Sequence, residues 1–183
     1  MTCAKTASGQ QEQVHRCARC QSLCLHRSAH SATELVCSLD ATVYLQYIGA
    51  WALGMYCGEG TYICADGTKY VGTWKNNCMH GKGVLTKKLA NQPGAAEVYE
   101  GDFQNHKMWG QGQYRYANGD VYVGQWKNGM HHGQGMLSKS AGGYYRGEWQ
   151  ENQKHGQGEA KLPNGESYIG QWAQGHRHGK GTL

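Results

Sequence analysis

A 23-residue period constrains this chain more than any other feature. The stretch from Tyr122 reads YVGQWKNGMHHGQG, and it restarts at Tyr145 as YRGEWQENQKHGQG. Copies begin at Tyr47, Tyr70, Tyr99, Tyr122, Tyr145 and Tyr168, followed four residues on by Trp51, Trp74, Phe103, Trp126, Trp149 and Trp172. The interval is 23 residues throughout, except for 29 between Tyr70 and Tyr99. The six extra residues fall within Lys87–Val98, where Asn91, Gln92, Pro93 and Gly94 predict a lengthened turn. Self-similarity at such a period marks a chain whose units bury their apolar faces by stacking on their neighbours.

Counting from each tyrosine, Tyr, Gly and the second aromatic occupy positions 1, 3 and 5 of the unit. In a strand these share one face. In a helix they would scatter, and each glycine would cost about 1 kcal/mol relative to alanine. A glycine between two rings on one face leaves a gap that a neighbouring ring can fill. Position 11 is His80, His132, His155 or His178, with Cys57 and Trp109 in the other two copies, and G-x-G follows. This opens a second strand, such as Thr61-Tyr62-Ile63, Val84-Leu85-Thr86 or Tyr114-Arg115-Tyr116. Copies close on Asp66-Gly67, Asn118-Gly119, Gly142-Gly143 or Asn164-Gly165, which predict two-residue type I′ turns. The stretch before G-x-G is also turn-like, with Asn76-Asn77, Asn128-Gly129, Asn152 and Gly175.

The predicted fold is all-β: an elongated single-sheet ribbon of stacked antiparallel β-hairpins. Twelve strands spaced about 4.8 Å apart give a sheet roughly 55 Å long. With 6 Trp and 12 Tyr but one Phe, rings rather than aliphatic side chains form the spine. No helical layer is foreseen to cover it, so part of the aromatic face is expected to stay open.

The pattern Y-x-G-x-W-x-x-x-x-x-H-G-x-G, closing on Asp-Gly or Asn-Gly, resembles the MORN repeat (membrane occupation and recognition nexus). Six units carry it, with Phe103 in place of Trp, Trp109 and Cys57 in place of His, and Gly142-Gly143 at one closing turn. The resemblance implies a β-ribbon with a groove along one side. It further implies scaffolds that dimerise, bind helical segments of cytoskeletal or motor partners, or contact acidic phospholipids. In larger proteins such repeats precede a lipid kinase or methyltransferase domain. The last unit stops at Leu183, which suggests a second strand cut short and an open, pairing-prone edge.

The repeat domain spans 47–183, and residues 1–46 are expected to be a disordered cysteine-rich tail, with a capping strand over 35–46. No apolar run there matches a signal-peptide core or a membrane span of roughly 20 residues. Cys17 and Cys20 have the spacing of a zinc knuckle, and Cys24 or His26 could complete a site. The second half of a regular finger is absent, so a reduced, unstructured tail is favoured over metal. Cys57, Cys64 and Cys78 are expected to be small, partly buried thiols within the repeats. The histidine ladder cannot share a metal, because equivalent residues stand about 10 Å apart. Its expected role is to hydrogen-bond local backbone.

No P-loop, dinucleotide fingerprint or G-x-S-x-G is present, so no enzyme and no cofactor is expected. The net charge of +5 is mild and forms no continuous basic stripe, so nucleic acid is not an expected partner. The leading reading is a non-catalytic scaffold. Its aromatic row (Tyr47, Trp51, Tyr70, Trp74, Tyr99, Phe103, Tyr122, Trp126, Tyr145, Trp149, Tyr168, Trp172) would form a groove for a partner helix or peptide. In that reading the Trp row is mainly structural and some Tyr edges are exposed. Expected partners are cytoskeletal, motor or signalling proteins, or a second copy of the chain, in the cytoplasm or at its cytoskeletal or membrane margins. Peripheral binding to anionic phospholipid through Lys75, Lys82, Lys127 and Lys180 is the second reading. A third makes the chain a regulatory arm of a larger enzyme such as a phosphatidylinositol phosphate kinase.

Overall fold

The computed structural model describes residues 46–183 apart from Pro93, together with the backbone of Cys3–Lys5, Gln11–Cys17, Cys20–Leu25, Glu34–Cys37 and Leu45. Each repeat is a hairpin. Its first strands are Leu45–Ala52, Lys69–Lys75, Ala96–Gln104, Val121–Lys127, Tyr144–Gln150 and Ser167–Ala173. Its second strands are Met55–Ile63, Cys78–Lys88, Lys107–Arg115, Met130–Ser138, Gln153–Lys161 and His176–Thr182. The twelve pair in chain order as one antiparallel meander, and Glu34–Cys37 adds a strand beside Leu45–Ala52. The expected disordered tail falls largely on residues outside the described set. The backbone segments described there, Cys3–Lys5, Gln11–Cys17 and Cys20–Leu25, pair as a separate three-stranded sheet. The extra residues of the second repeat lengthen its outer hairpin, with Lys87↔Glu97 and Lys88↔Ala96 paired and the Ala95 N–H donating to the Gln92 carbonyl at 2.9 Å.

Two glycines set the shape of each unit. The position-3 glycine pairs across the hairpin with the second glycine of G-x-G, as in Gly124↔Gly135 and Gly147↔Gly158. Neither carries a Cβ, so the tyrosine ring of the same repeat lies flat across the pair. Its hydroxyl donates to the carbonyl three residues on, as Tyr122 does to Gln125 and Tyr145 to Glu148, both at 2.9 Å. The gap foreseen for a neighbour's ring is therefore filled from within the repeat.

The first glycine of G-x-G marks a β-bulge, where the register shifts by two residues on the second strand. It takes φ between +55° and +71° in all six repeats, which is left-handed backbone that favours glycine. The N–H that the bulge frees is capped by the position-4 side chain. Asp102, Gln125, Glu148 and Gln171 accept it from Gln111, Gln134, Gln157 and Lys180 at 2.9–3.0 Å.

The turns correct one expectation. Type I′ geometry occurs at positions 7 and 8, right after the Trp strand, where both residues have positive φ, as in Asn76-Asn77 (50°, 64°) and Asn128-Gly129 (54°, 82°). At the closing turns only the glycine is left-handed in Asp66-Gly67, Asn118-Gly119 and Asn164-Gly165. There the Asx side chain accepts the N–H two residues on, at 2.8–3.1 Å, which fixes a wider turn. Leu53 holds a position-7 site at φ 51° with its side chain 96% exposed. Left-handed backbone costs an L side chain about 1–2 kcal/mol. Leu53→Asn, which reproduces the Asn128-Gly129 turn, is expected to stabilise the chain by about 1 kcal/mol, read as a rise in the thermal midpoint.

The core lies on one side of the sheet. Tyrosines at position 1 are 0–6% exposed, and the aromatics at position 5 from Trp74 onward are 3–6% exposed. The opposite face keeps Ile48, Val71, Val123 and Ile169 at 41–60% exposure. The open side is thus the aliphatic face, because the rings on the other side cover one another.

Candidate functional site

The rings form a continuous lattice. Each tyrosine meets the aromatic of its own repeat edge-on at 5.0–5.3 Å, and all but Tyr168 meet that of the next repeat at 5.0–5.5 Å. Such pairs add about 0.5–1.5 kcal/mol each beyond burial. Between repeats, the Nε1–H of Trp74, Trp126, Trp149 and Trp172 donates to Gly60, Gly112, Gly135 and Gly158 carbonyls at 3.1–3.2 Å. Phe103 has no such donor. Burial pushes the Tyr47 and Tyr145 phenols up to about 12, with smaller contributions from neighbouring groups, so they remain donors at physiological pH.

This packing changes the role of the predicted groove residues. Tyrosine edges are not exposed: Tyr47, Tyr70, Tyr99, Tyr122, Tyr145 and Tyr168 lie against their glycine pairs, and Trp74, Phe103, Trp126, Trp149 and Trp172 lie between them. Trp51, at the first repeat, is half-buried. The twelve rings are the floor of the aromatic face, and other side chains line what a partner would meet.

Those side chains stand at position 10, one residue before the histidine ladder: Tyr56, Met79, Met108, His131, Lys154 and Arg177. Each lies on the tyrosine side of the sheet. Tyr56 stacks on Tyr47 at 3.8 Å and His131 on Tyr122 at 3.6 Å. Met79 and Met108 pack against the buried rings. The Lys154 ammonium sits 5.0 Å from the Tyr145 ring and 4.7 Å from that of Trp172, and the Arg177 guanidinium lies 5.0 Å from the Tyr168 ring. The second wall is the position-16 row, where Tyr62, Leu85 and Leu137 are partly buried. Turns brace the first wall: the position-8 N–H of one repeat donates to the position-10 carbonyl of the repeat before, as Asn152 does to His131 at 3.1 Å. The Asn152 Oδ1 also accepts the His131 N–H at 2.8 Å.

Sequence reasoning missed this row because its members share no residue type. What they share is the capacity to lie on a ring, as an aromatic, a thioether or a cation. Toward the last repeats a cleft of about 410 Å³ opens beside it, with Lys139, Lys154 and Lys161 in its lining. Lys139 is paired with Asp120 at 2.7 Å, which holds the Asp120 carboxyl down at about 2 together with the Ser140 N–H. The Lys154 amine is pulled below its ordinary value, first by burial and then by Lys139 and Arg177.

The lysines of the phospholipid reading do not gather. Lys75, Lys127 and Lys180 are exposed on separate strands, and Lys82 is ion-paired with Asp102 at 2.7 Å. Among the described residues no cluster of metal-ligating side chains occurs. The side chains of Cys17, Cys20, Cys24 and His26 lie outside the described set. Cys57, Cys64 and Cys78 are half-buried and form no disulfide with one another. In the histidine ladder the backbone rather than the ring is engaged: the His155 and His178 carbonyls accept Tyr145 and Tyr168 hydroxyls at 3.3 and 3.4 Å.

Parts of this chain are similar to known proteins. Alsin of Rattus norvegicus is 36% identical over 83 residues, which are 44% of this chain and 5% of Alsin, so the chain spans a small fraction of that relative. Among solved structures, the Drosophila melanogaster SAS-4 (dCPAP) TCP domain, in complex with a proline rich motif of Ana2 (dSTIL), is 13% identical with a TM-score of 0.39. That likeness covers 86% of this chain and 88% of the other. The MORN repeat profile matches residues 47–69, 70–88, 99–121, 122–144, 145–167 and 168–183. The six hairpins with their tyrosine-covered glycine pairs are MORN repeats, and the chain belongs to the MORN repeat family.

Proposed function

We propose that this chain is a non-catalytic scaffold that holds a helical segment of a protein partner on its aromatic face. MORN repeats are interaction modules, and the observation that supports this use is the groove above the rings. Its floor is rigid and already buried, so binding orders little further. Its position-10 wall offers Tyr56, Met79 and Met108, half-buried side chains of the types favoured at contact surfaces. Partners of this kind include cytoskeletal, motor or signalling proteins in the cytoplasm, and the repeats would serve a larger protein in the same way if fused to an enzyme. A photo-crosslinking residue at Met108 tests the reading against one at Val123, which is 50% exposed on the opposite face. Partner adducts are expected from position 108 and not from 123; the reverse pattern would sink the proposal.

Anionic membrane is the second reading, supported by exposed Lys75, Lys127 and Lys180. Each would add about 1 kcal/mol at an anionic surface, and Lys82 little because of its pairing. Flotation with phosphoinositide vesicles is expected to show binding only at low salt. Binding that persists at physiological salt would reverse the order of the two readings.

A further inference from the structure

The position-10 row changes character along the sheet. It runs Tyr56, Met79, Met108, His131, Lys154, Arg177, apolar over the first three repeats and cationic over the last two. Neither cation pairs with a carboxylate among the described residues, and both rest on ring faces within the lattice. Spacing adds a second constraint. Two strands per repeat set successive row members about 10 Å apart. Seven residues of α-helix rise about 10.5 Å, so a helix laid along the row presents one heptad to each repeat.

We propose that the groove reads the polarity of its partner helix, apolar at heptad spacing over repeats one to three and carboxylate-bearing at the same spacing over repeats five and six. The inference rests on the scaffold reading above and names its partner's chemistry. A helix also carries partial negative charge at its C-terminal end, which places that end over Lys154 and Arg177. Bilayers present a laterally uniform charge and cannot match a row that turns from apolar to basic, so a protein segment is favoured over lipid.

The test uses the full chain and two labelled helical peptides of about 42 residues, one heptad for each of the six repeats at 1.5 Å per residue. One carries Leu at heptad spacing in its N-terminal half and Glu at that spacing in its C-terminal half; the other has Gln in place of those Glu. Anisotropy titrations are expected to show the Glu peptide binding about tenfold tighter at low salt, with the advantage shrinking as the Debye length falls toward 3 Å in 1 M salt. Lys154→Met with Arg177→Met is expected to abolish that advantage, so that the variant binds the Glu and Gln peptides equally. The fold already carries Met at this position in Met79 and Met108, so the variant is expected to remain folded. Lys154→Arg should retain the preference. Equal binding of both peptides, or a preference that survives the double substitution, overturns the polarity and leaves the groove standing. Failure of both peptides to bind overturns the groove reading with it. Phosphatidylserine vesicles that displace the Glu peptide from the wild-type chain, but not from the double variant, would assign the basic end to lipid instead.

Discussion

Replacing Gly135 by alanine is expected to destabilise the fourth repeat by about 3 kcal/mol, the upper end of what overpacking a core ordinarily costs. Gly135 does not have left-handed backbone, so conformational strain plays no part. The cost is steric: a Cβ there would lie 2.6 Å from the Tyr122 Cζ and 2.7 Å from its Cε2. The ring cannot yield cheaply, because Tyr122 is fully buried, hydrogen-bonded to the Gln125 carbonyl, stacked with His131 and wedged between Trp126 and Trp149. Moving it would break the lattice at its centre, where repeats contact only their neighbours. Gly165→Ala is the control. It meets nothing within 4 Å and loses only the comfort of glycine at φ 92°, about 1–2 kcal/mol. Chemical denaturation followed by tryptophan fluorescence is expected to show the larger loss at Gly135, with the transition splitting as the two halves of the ribbon uncouple. Equal losses at the two sites would mean that tyrosine packing on the glycine pair is not what holds a repeat together.

The ribbon was legible in the sequence because its determinants repeat. Tyr122, Gly124 and Trp126 recur on one strand face at a fixed interval, and period-two alternation gives a strand without ambiguity. Less legible was anything set by the bulge. Once Gly133 takes left-handed backbone, the second strand shifts against Gln125, and the residue facing the tyrosine becomes His131 rather than His132. The conspicuous histidines therefore drew attention one place away from the side chains that line the groove. Turn chemistry was ambiguous for a similar reason. Asn-Gly suits both a type I′ turn, as at Asn128-Gly129, and an Asx-stabilised wider turn, as at Asn118-Gly119, and strand register decides between them. Leu53, Glu151 and Gln174 occupy left-handed positions that no propensity would assign them. There the meander on either side overrides the local preference.

Acid is expected to weaken the same central repeat through His131. This imidazole is 6% exposed among Tyr122, Trp126 and Trp149, with its Nε2 2.9 Å from the Tyr116 hydroxyl and its Nδ1 without a partner. Burial pulls it down from 6.5 to about 4 in the folded chain. The unfolded chain binds the proton first, so stability is complete above pH 6.5 and declines as pH falls through that value toward 4. Below 4 His131 removes nothing further. The full loss is about 3 kcal/mol, from the 1.36 kcal/mol that each pH step carries. Asp120 acts in a lower window: its carboxyl is depressed from 3.8 to about 2, so its contribution is lost only below about pH 4. Stability measured in urea between pH 7 and 4.5 thus isolates the histidine. His131→Met, the residue found at this position in repeats two and three, is expected to flatten the curve across that interval. A wild-type curve already flat there, or a variant that keeps the slope, would place the titrating group elsewhere.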